Sequence, residues 1–158
     1  MTILVTGGAG FIGANFLLEW LHQNEEPVVN LDKLNYAGNL KNLESLADAT
    51  RHHFVCGDIA DAILVRQVFH DHRPRAVINF AAESHVDRSI EGPEEFIQTN
   101  VVGTFRLLQQ TRDFFQTLNG SEKTDFRFLH VSTDEVYGSL RPNDPPFAET
   151  NRSEPNSP

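Results

Sequence analysis

The chain has 158 residues, 13 Lys and Arg against 22 Asp and Glu, and a formal net charge of −9. That length holds one ordinary domain or a piece of one, and an acidic balance without any basic tract argues against a nucleic-acid backbone as partner. With 39% hydrophobic residues and a single cysteine, the sequence supports a folded core, excludes an internal disulfide and points to a reducing, cytoplasmic setting.

Residues 3–6 form a short β-branched, apolar run that stops at Gly7, and from 13 to 22 apolar residues recur at helical spacing through Phe16, Leu17, Trp20 and Leu21. This start has neither the charged region nor the cleavage site of a secretion signal, and no apolar run approaches the ~18–20 residues of a membrane span. A soluble chain is expected. Runs at 28–31 and 53–56 end at Asp32 and at Gly57 and Asp58, and read as buried strands that each deliver a polar residue at the C-terminal end. The connection at 39–52 has room for a short helix around 43–46. Cys56, on an apolar strand, reads as a buried small hydrophobe. Residues 60–71 place Ile63, Leu64, Val68 and Phe69 on one helical face, with Asp58 a candidate N-cap. A fourth strand follows at 76–82, then a long helix from 94 to about 117 carrying Ile97, Val101, Phe105, Leu108 and Phe115. A polar loop spans 118–125, and 126–131 is the fifth strand. Five of the eight prolines fall from Pro142 onward, so the segment 139–158 reads as loop or disorder.

Strands that alternate with helices of this length imply right-handed parallel crossovers, hence an α/β fold with a doubly wound parallel sheet of order 3-2-1-4-5. Immediately after the first strand, Gly7, Gly8, Gly10 and Gly13 satisfy a Gly-x-Gly-x-x-Gly spacing at the mouth of a helix, and Asp32 lies nineteen positions beyond Gly13. That combination is the fingerprint of a dinucleotide site: backbone without Cβ atoms can approach a pyrophosphate, whose charge meets the free amides and positive end of the helix. Asp32 would bind the adenosine ribose and repel a 2′-phosphate, favouring NAD over NADP, with Lys33 beside it working the other way. The competing reading is a purely structural turn, against which the Asp32 spacing weighs. His70 and His72 share no helical face and find no third ligand at a recognised spacing, so no metal is expected.

Three further stretches carry a resemblance: residues 79–89, residues 99–104 and residues 132–138, together with the run 32–40 that begins Asp32, Lys33, Leu34, Asn35. They resemble the extended short-chain dehydrogenase/reductases, and among them the dTDP-glucose 4,6-dehydratases. The resemblance implies a partial NAD-binding Rossmann domain over 1–138. It implies that Phe11 and Ile12 lie at the pyrophosphate turn, that Asp32, Lys33, Leu34 and Asn35 surround the adenosine ribose, and that Asp58 and Ile59 flank the adenine. Phe80, Ala81, Ala82, Ser84 and Thr99 would line the nicotinamide half, with Ser84 and Thr133 also reaching the sugar of dTDP-glucose. The implied reaction oxidises C4 with NAD, eliminates water across C5 and C6, and returns the hydride to C6. Glu135 is implied as the base and Asp134 as the acid, beside Thr133. The two neighbours can play opposite roles only if their surroundings split their pKa values, so Asp134 is expected to be the protonated partner. Because neighbours on a strand face opposite ways, the backbone is expected to turn at 133–135. Capping of a following helix, or plain solvent exposure, is the alternative for this pair.

The Tyr-x-x-x-Lys pair of that family is not found in these residues: Leu40 stands four positions after Tyr36, and Arg141 four after Tyr137. The last residues resemble the segment just before that tyrosine, so the chain is expected to be an N-terminal portion, to lack the C-terminal substrate domain and to be nearly inactive alone. A homodimer is implied for the full-length family member, partly through the long helix. A non-catalytic NAD-binding module, or a related sugar-nucleotide dehydratase or epimerase, is the other reading.

Overall fold

Five strands, Ile3–Thr6 (β1), Val28–Asp32 (β2), His52–Cys56 (β3), Ala76–Asn79 (β4) and Arg127–His130 (β5), build the computed structural model, which describes residues 1–46 and 49–156. All pairings are parallel and the order is β3-β2-β1-β4-β5, as the alternation of strands and helices predicts. In register, Leu4 stands opposite Val29 and Val77. These three face helices Ala62–His72 (α2) and Thr104–Thr117 (α5), packing on Val65, Phe69, Leu107 and Phe114. Ile3, Val5 and Val28 alternate to the other face, where helix Phe11–Gln23 (α1) lays down Ala14, Leu17 and Leu21. Each such fully buried aliphatic side chain contributes at most about 1.5–3 kcal/mol, and both β1 and β2 are buried along their whole length. Between α2 and α5 the rings of Phe69 and Phe114 sit 5.0 Å apart. Among the described residues, no helix is long and apolar enough to cross a membrane.

Several expectations are corrected, each for a local reason. The expected strand 76–82 ends at Asn79, because the Asn79 side chain accepts from the amide of Ala81 at 3.2 Å and turns the backbone. Asp61, not Asp58, caps α2, accepting from the amides of Ile63 and Leu64; Asp58 instead closes a turn onto the amide of Ala60 at 2.8 Å. The single helix expected at 94–117 is a series, Pro93–Phe96 (α4), a π-helical stretch Ile97–Gly103 and α5, and a short helix unseen in the sequence, Val86–Glu91 (α3), precedes it. A π-turn adds a residue to the helical repeat and is invisible to a 3.6-residue periodicity. The polar loop holds a further short helix, Gly120–Asp125 (α6), with no buried residue to betray it. A 3-10 turn falls at Leu40–Leu43 rather than 43–46, capped by Asn39; residues 47 and 48 of that connection lie outside the described residues. Cys56 is exposed, since β3 is an edge strand and only its inner neighbour β2 is fully covered. The tail carries no helix or strand through residue 156, yet it is packed: Glu154 donates its amide to the Val136 carbonyl, and the rings of Tyr137 and Phe147 stand 5.3 Å apart.

One pairing makes the sheet sensitive to pH. His52 lies beside Asn30, with Asn30 Nδ2 and His52 Nε2 3.2 Å apart, and burial together with the neighbouring His53 holds its pKa below the ordinary value of 6.5. A histidine held neutral in the folded state stabilises it above the unfolded pKa, and that stability is lost as pH falls through about 6.5. His52→Gln, which keeps an acceptor for Asn30, is expected to flatten the loss of stability between pH 7 and 5.5, read from urea midpoints.

Candidate functional site

The site lies at the C-terminal edge of the sheet, where β1 hands over to α1. Gly7 adopts φ +73 and lies so close to the next strand's loop that a Cβ would meet the amide nitrogen of Ala81 at 2.6 Å. Gly13 is pressed the same way, its position for a Cβ being 2.3 Å from the carbonyl oxygen of Gly7. At Gly10 a Cβ would make only ordinary contacts, 3.4 Å from the carbonyl oxygen of Gly7 and 4.0 Å from that of Ala37. No side chain caps α1 and no acidic residue occupies its first turn, leaving the amides of a 13-residue helix to meet an anion. This is a cradle that fits a pyrophosphate.

Asp32, at the end of β2, is only 7% exposed. Its Oδ2 accepts from the amide of Ala9 at 2.9 Å and its Oδ1 from that of Leu34 at 2.8 Å, so it ties the glycine turn to the segment that leaves β2. One lone pair on each oxygen is left for a ligand hydroxyl. Asp32→Ala is therefore expected to orphan one buried and one part-buried donor and lower stability by about 1–3 kcal/mol in urea unfolding. Residues 33–39 then form a strap over the cleft. Leu34 enters it with φ +54, and the strap returns where the Asn39 amide donates to the Ala9 carbonyl at 3.0 Å. Lys33 Nζ donates to Thr99 Oγ1 at 3.1 Å and pairs with Asp58 at 3.5 Å, which joins β2, β3 and the π-helical turn at one end of the cleft.

A cleft of about 490 Å³, its open mouth included, results. Of the residues expected to bind the cofactor, Gly7, Gly10, Asp32, Lys33 and Asn35 line its strap side. Asp58, Ile59, Phe80, Ala81, Ala82 and Thr99 line the remainder. Five others stand outside the lining. Phe11 and Ile12 are exposed on the first turn of α1, Gly13 is buried beneath it, Leu34 is the left-handed residue of the strap, and Ser84 is exposed just past Ala82. Sequence reasoning missed Leu31, Ala37, Gly38 and Gly57, which also line the cleft. It missed Asn100 as well, whose side chain donates to the carbonyl of Glu83 at 2.9 Å and accepts from its amide at 2.8 Å, holding the loop after β4. Only the run 32–40 carried a signal for Ala37 and Gly38.

The acidic pair follows β5 at the same edge of the sheet, two strand positions from the glycine turn, or about 10 Å at the usual spacing. Thr133 caps a 3-10 turn, Asp134–Tyr137, accepting from the Glu135 amide at 3.3 Å. The expected turn of the backbone is thus present. Successive residues of a 3-10 helix diverge by about 120°, so Asp134 and Glu135 point to different sides while sharing one edge. Both carboxyls are exposed. A polar row crosses the end of the sheet: buried Thr6 donates to Oδ1 of buried Asn79, and Asn79 Nδ2 stands 3.0 Å from Nδ1 of the exposed His130. That row connects the ends of β1, β4 and β5, the three strands whose loops make the site.

Comparison with known proteins agrees with this geometry. The dTDP-glucose 4,6-dehydratase of Xanthomonas campestris pv. campestris (strain B100) is 59% identical over 157 residues, covering 99% of this chain and 44% of the relative. A solved structure of dTDP-glucose 4,6-dehydratase from Streptomyces venezuelae, with NAD bound, superposes with a TM-score of 0.86 at 44% identity, covering 99% of this chain and 46% of that one. The UDP-glucose 4-epimerase of Thermotoga maritima superposes at 0.80 with 30% identity, covering 99% and 46%. The chain thus spans less than half the length of the relatives it matches. A family model described as GDP-mannose 4,6 dehydratase matches residues 4–158, and with strand order, glycine turn and acidic turn all in place the chain belongs to that family.

Proposed function

We propose that the chain forms the cofactor half of an NAD-dependent dehydratase that converts dTDP-glucose to dTDP-4-keto-6-deoxyglucose. The observation that carries this reading is the acidic 3-10 turn, Asp134–Tyr137, set at the same sheet edge as the uncapped start of α1. The higher identity to dTDP-glucose 4,6-dehydratases than to a UDP-glucose 4-epimerase supports the choice of reaction and substrate.

When bound, NAD supplies the hydride acceptor at C4 and returns the hydride at C6. The amides at the start of α1 would hold its pyrophosphate, and Asp32 its adenosine ribose, while Ala81 and Ala82 wall the far end. The 4-keto group acidifies the C5 hydrogen, so Glu135 can take that proton as Asp134 gives one to the departing C6 hydroxyl, leaving a C5–C6 double bond and water. Thr133 and Ser84 would steady the sugar.

Binding and chemistry are tested separately. Titration of the chain with NAD tests the cradle; absence of binding overturns it. Asp32→Ala is expected to weaken NAD at least tenfold without gaining NADP, since the turn itself loosens, whereas Asp32→Asn narrows the preference between the two. A chimera joining the chain to the remaining part of the Xanthomonas campestris relative tests the reaction, through transfer of deuterium from C4 to C6 of dTDP-glucose. No transfer, from a chimera that binds NAD, overturns the dehydratase reading.

A homodimer and a cytoplasmic place belong to the same proposal. Ile97, Val101, Phe105 and Leu108 recur every three or four residues along the π-helical stretch and α5, and all are 45–58% exposed. Such an apolar stripe fits the same stripe of a second copy. Phe105→Asp is expected to shift the chain from dimer to monomer in light scattering, with its far-UV circular dichroism unchanged.

A further inference from the structure

The strap at 33–39 is fastened differently at its ends and at its crown. Both ends are tied through backbone groups to Ala9 of the glycine turn, directly at Asn39 and through the Asp32 carboxylate at the start. The crown closes its own turn, the Gly38 amide donating to the Asn35 carbonyl at 3.1 Å, and is held to the rest of the chain by side chains. Asn35 donates to the carboxylate of Glu83, a residue 8% exposed in the loop after β4. Tyr36, itself 50% exposed, lies under the guanidinium of Arg88 from α3, 3.9 Å from the ring centroid, with the His85 ring 6.0 Å away. Burial and the nearby Glu83 carboxylate push the Tyr36 hydroxyl above its ordinary pKa, against the pull of Arg88. Asn35 lines both the cleft and a second, outward recess bounded by Tyr36, Glu83 and Arg88, so this strap is the wall between the two.

We infer that Tyr36 and Arg88 form a latch that closes the strap over a bound dinucleotide and sets how fast it leaves. The inference rests on the dinucleotide reading of the cleft. Ala37 and Gly38, next to Tyr36, line the cleft, so lifting the crown opens its wall while the two tied ends stay in place. Neither Tyr36 nor Arg88 lines the cleft. They act on the ligand through the backbone between them and it, which makes them positioning residues. A cation over an aromatic ring at a partly exposed site is a weak bond, and weak bonds suit a part that must open in each binding cycle.

The test is the dissociation rate of NADH from the chain, chased with excess NAD and followed by NADH fluorescence. Tyr36→Leu and Arg88→Met are each expected to speed dissociation by roughly threefold to tenfold, the range of one such contact. The double variant should be no faster than either single one, because both remove the same bond. Tyr36→Phe keeps the ring and should dissociate near the original rate. Amide hydrogen exchange at Ala37 and Gly38 should rise in the two single variants and not in Tyr36→Phe, which separates a latch from general loss of stability. Unchanged dissociation, additive effects in the double variant, or a Phe variant as fast as the Leu variant would overturn the latch. Failure of the unaltered chain to bind NADH would overturn the reading of the cleft itself.

Discussion

Gly13→Ala is expected to lower NADH affinity by at least a hundredfold, whereas Gly10→Ala should lose comparable affinity with no loss of stability. The two glycines stand three residues apart in one turn and are required for different reasons. A Cβ at Gly13 would lie 2.3 Å from the Gly7 carbonyl oxygen and 2.8 Å from the Gly8 Cα, both backbone atoms that no side-chain rotation can clear. The start of α1 must then move off the turn, which overpacks the interior by about 1–3 kcal/mol and swings the helix amides away from the anion they serve. At Gly10 the backbone has φ −74, open to any residue, and the nearest protein atom is 3.4 Å from the new Cβ. A methyl group there meets the protein only at ordinary contact distance, and it stands where Gly10 lines the cleft. Titration calorimetry with NADH and urea unfolding on both variants make the comparison. Equal stability losses would show that Gly10 serves the fold, and intact affinity in Gly10→Ala would remove the pyrophosphate from its assigned place.

The same distinction explains what could be seen in the sequence. The strand order was legible because crossover length and handedness leave few alternatives, and the glycine turn because Gly7, Gly13 and Asp32 carry their constraints in spacing alone. Features set by tertiary neighbours were not. Cys56 sits in an apolar run identical in texture to a buried strand, and only the position of β3 at the sheet edge exposes it. Asp58 and Asp61 are equally good caps by composition; the backbone turn at Ala60 chooses between them. Asp32 is expected to serve a ligand, yet one of its oxygens holds the glycine turn and the other the start of the strap, a double duty that no spacing reveals. Glu83 and Asn100 are seventeen residues apart and meet only because the π-helical turn carries Asn100 back to the loop after β4.

In the chimera proposed above, Asp134→Asn is expected to spare C4 oxidation and slow loss of water by about 10²–10⁴, and Glu135→Gln to suppress exchange of the C5 proton with solvent by a similar factor. The proposed division of tasks between these two adjacent carboxyls rests on the geometry of the 3-10 turn. On a strand they would sit on opposite faces of the sheet, and only one could reach the sugar. On the turn they diverge by about 120° from a common edge, with Thr133 fixing the backbone between them through its bond to the Glu135 amide. Asp134 must hold its proton until the C6 hydroxyl leaves, while Glu135 must be free of one when the C5 proton comes off. In the chain both carboxyls face solvent. Deuterium exchange at C5 and the build-up of a 4-keto-glucose intermediate, followed by mass spectrometry, read the two steps apart. If each variant slows both steps alike, the carboxyls act as one unit and the division of labour is wrong; if neither step changes, the turn is not part of the chemistry.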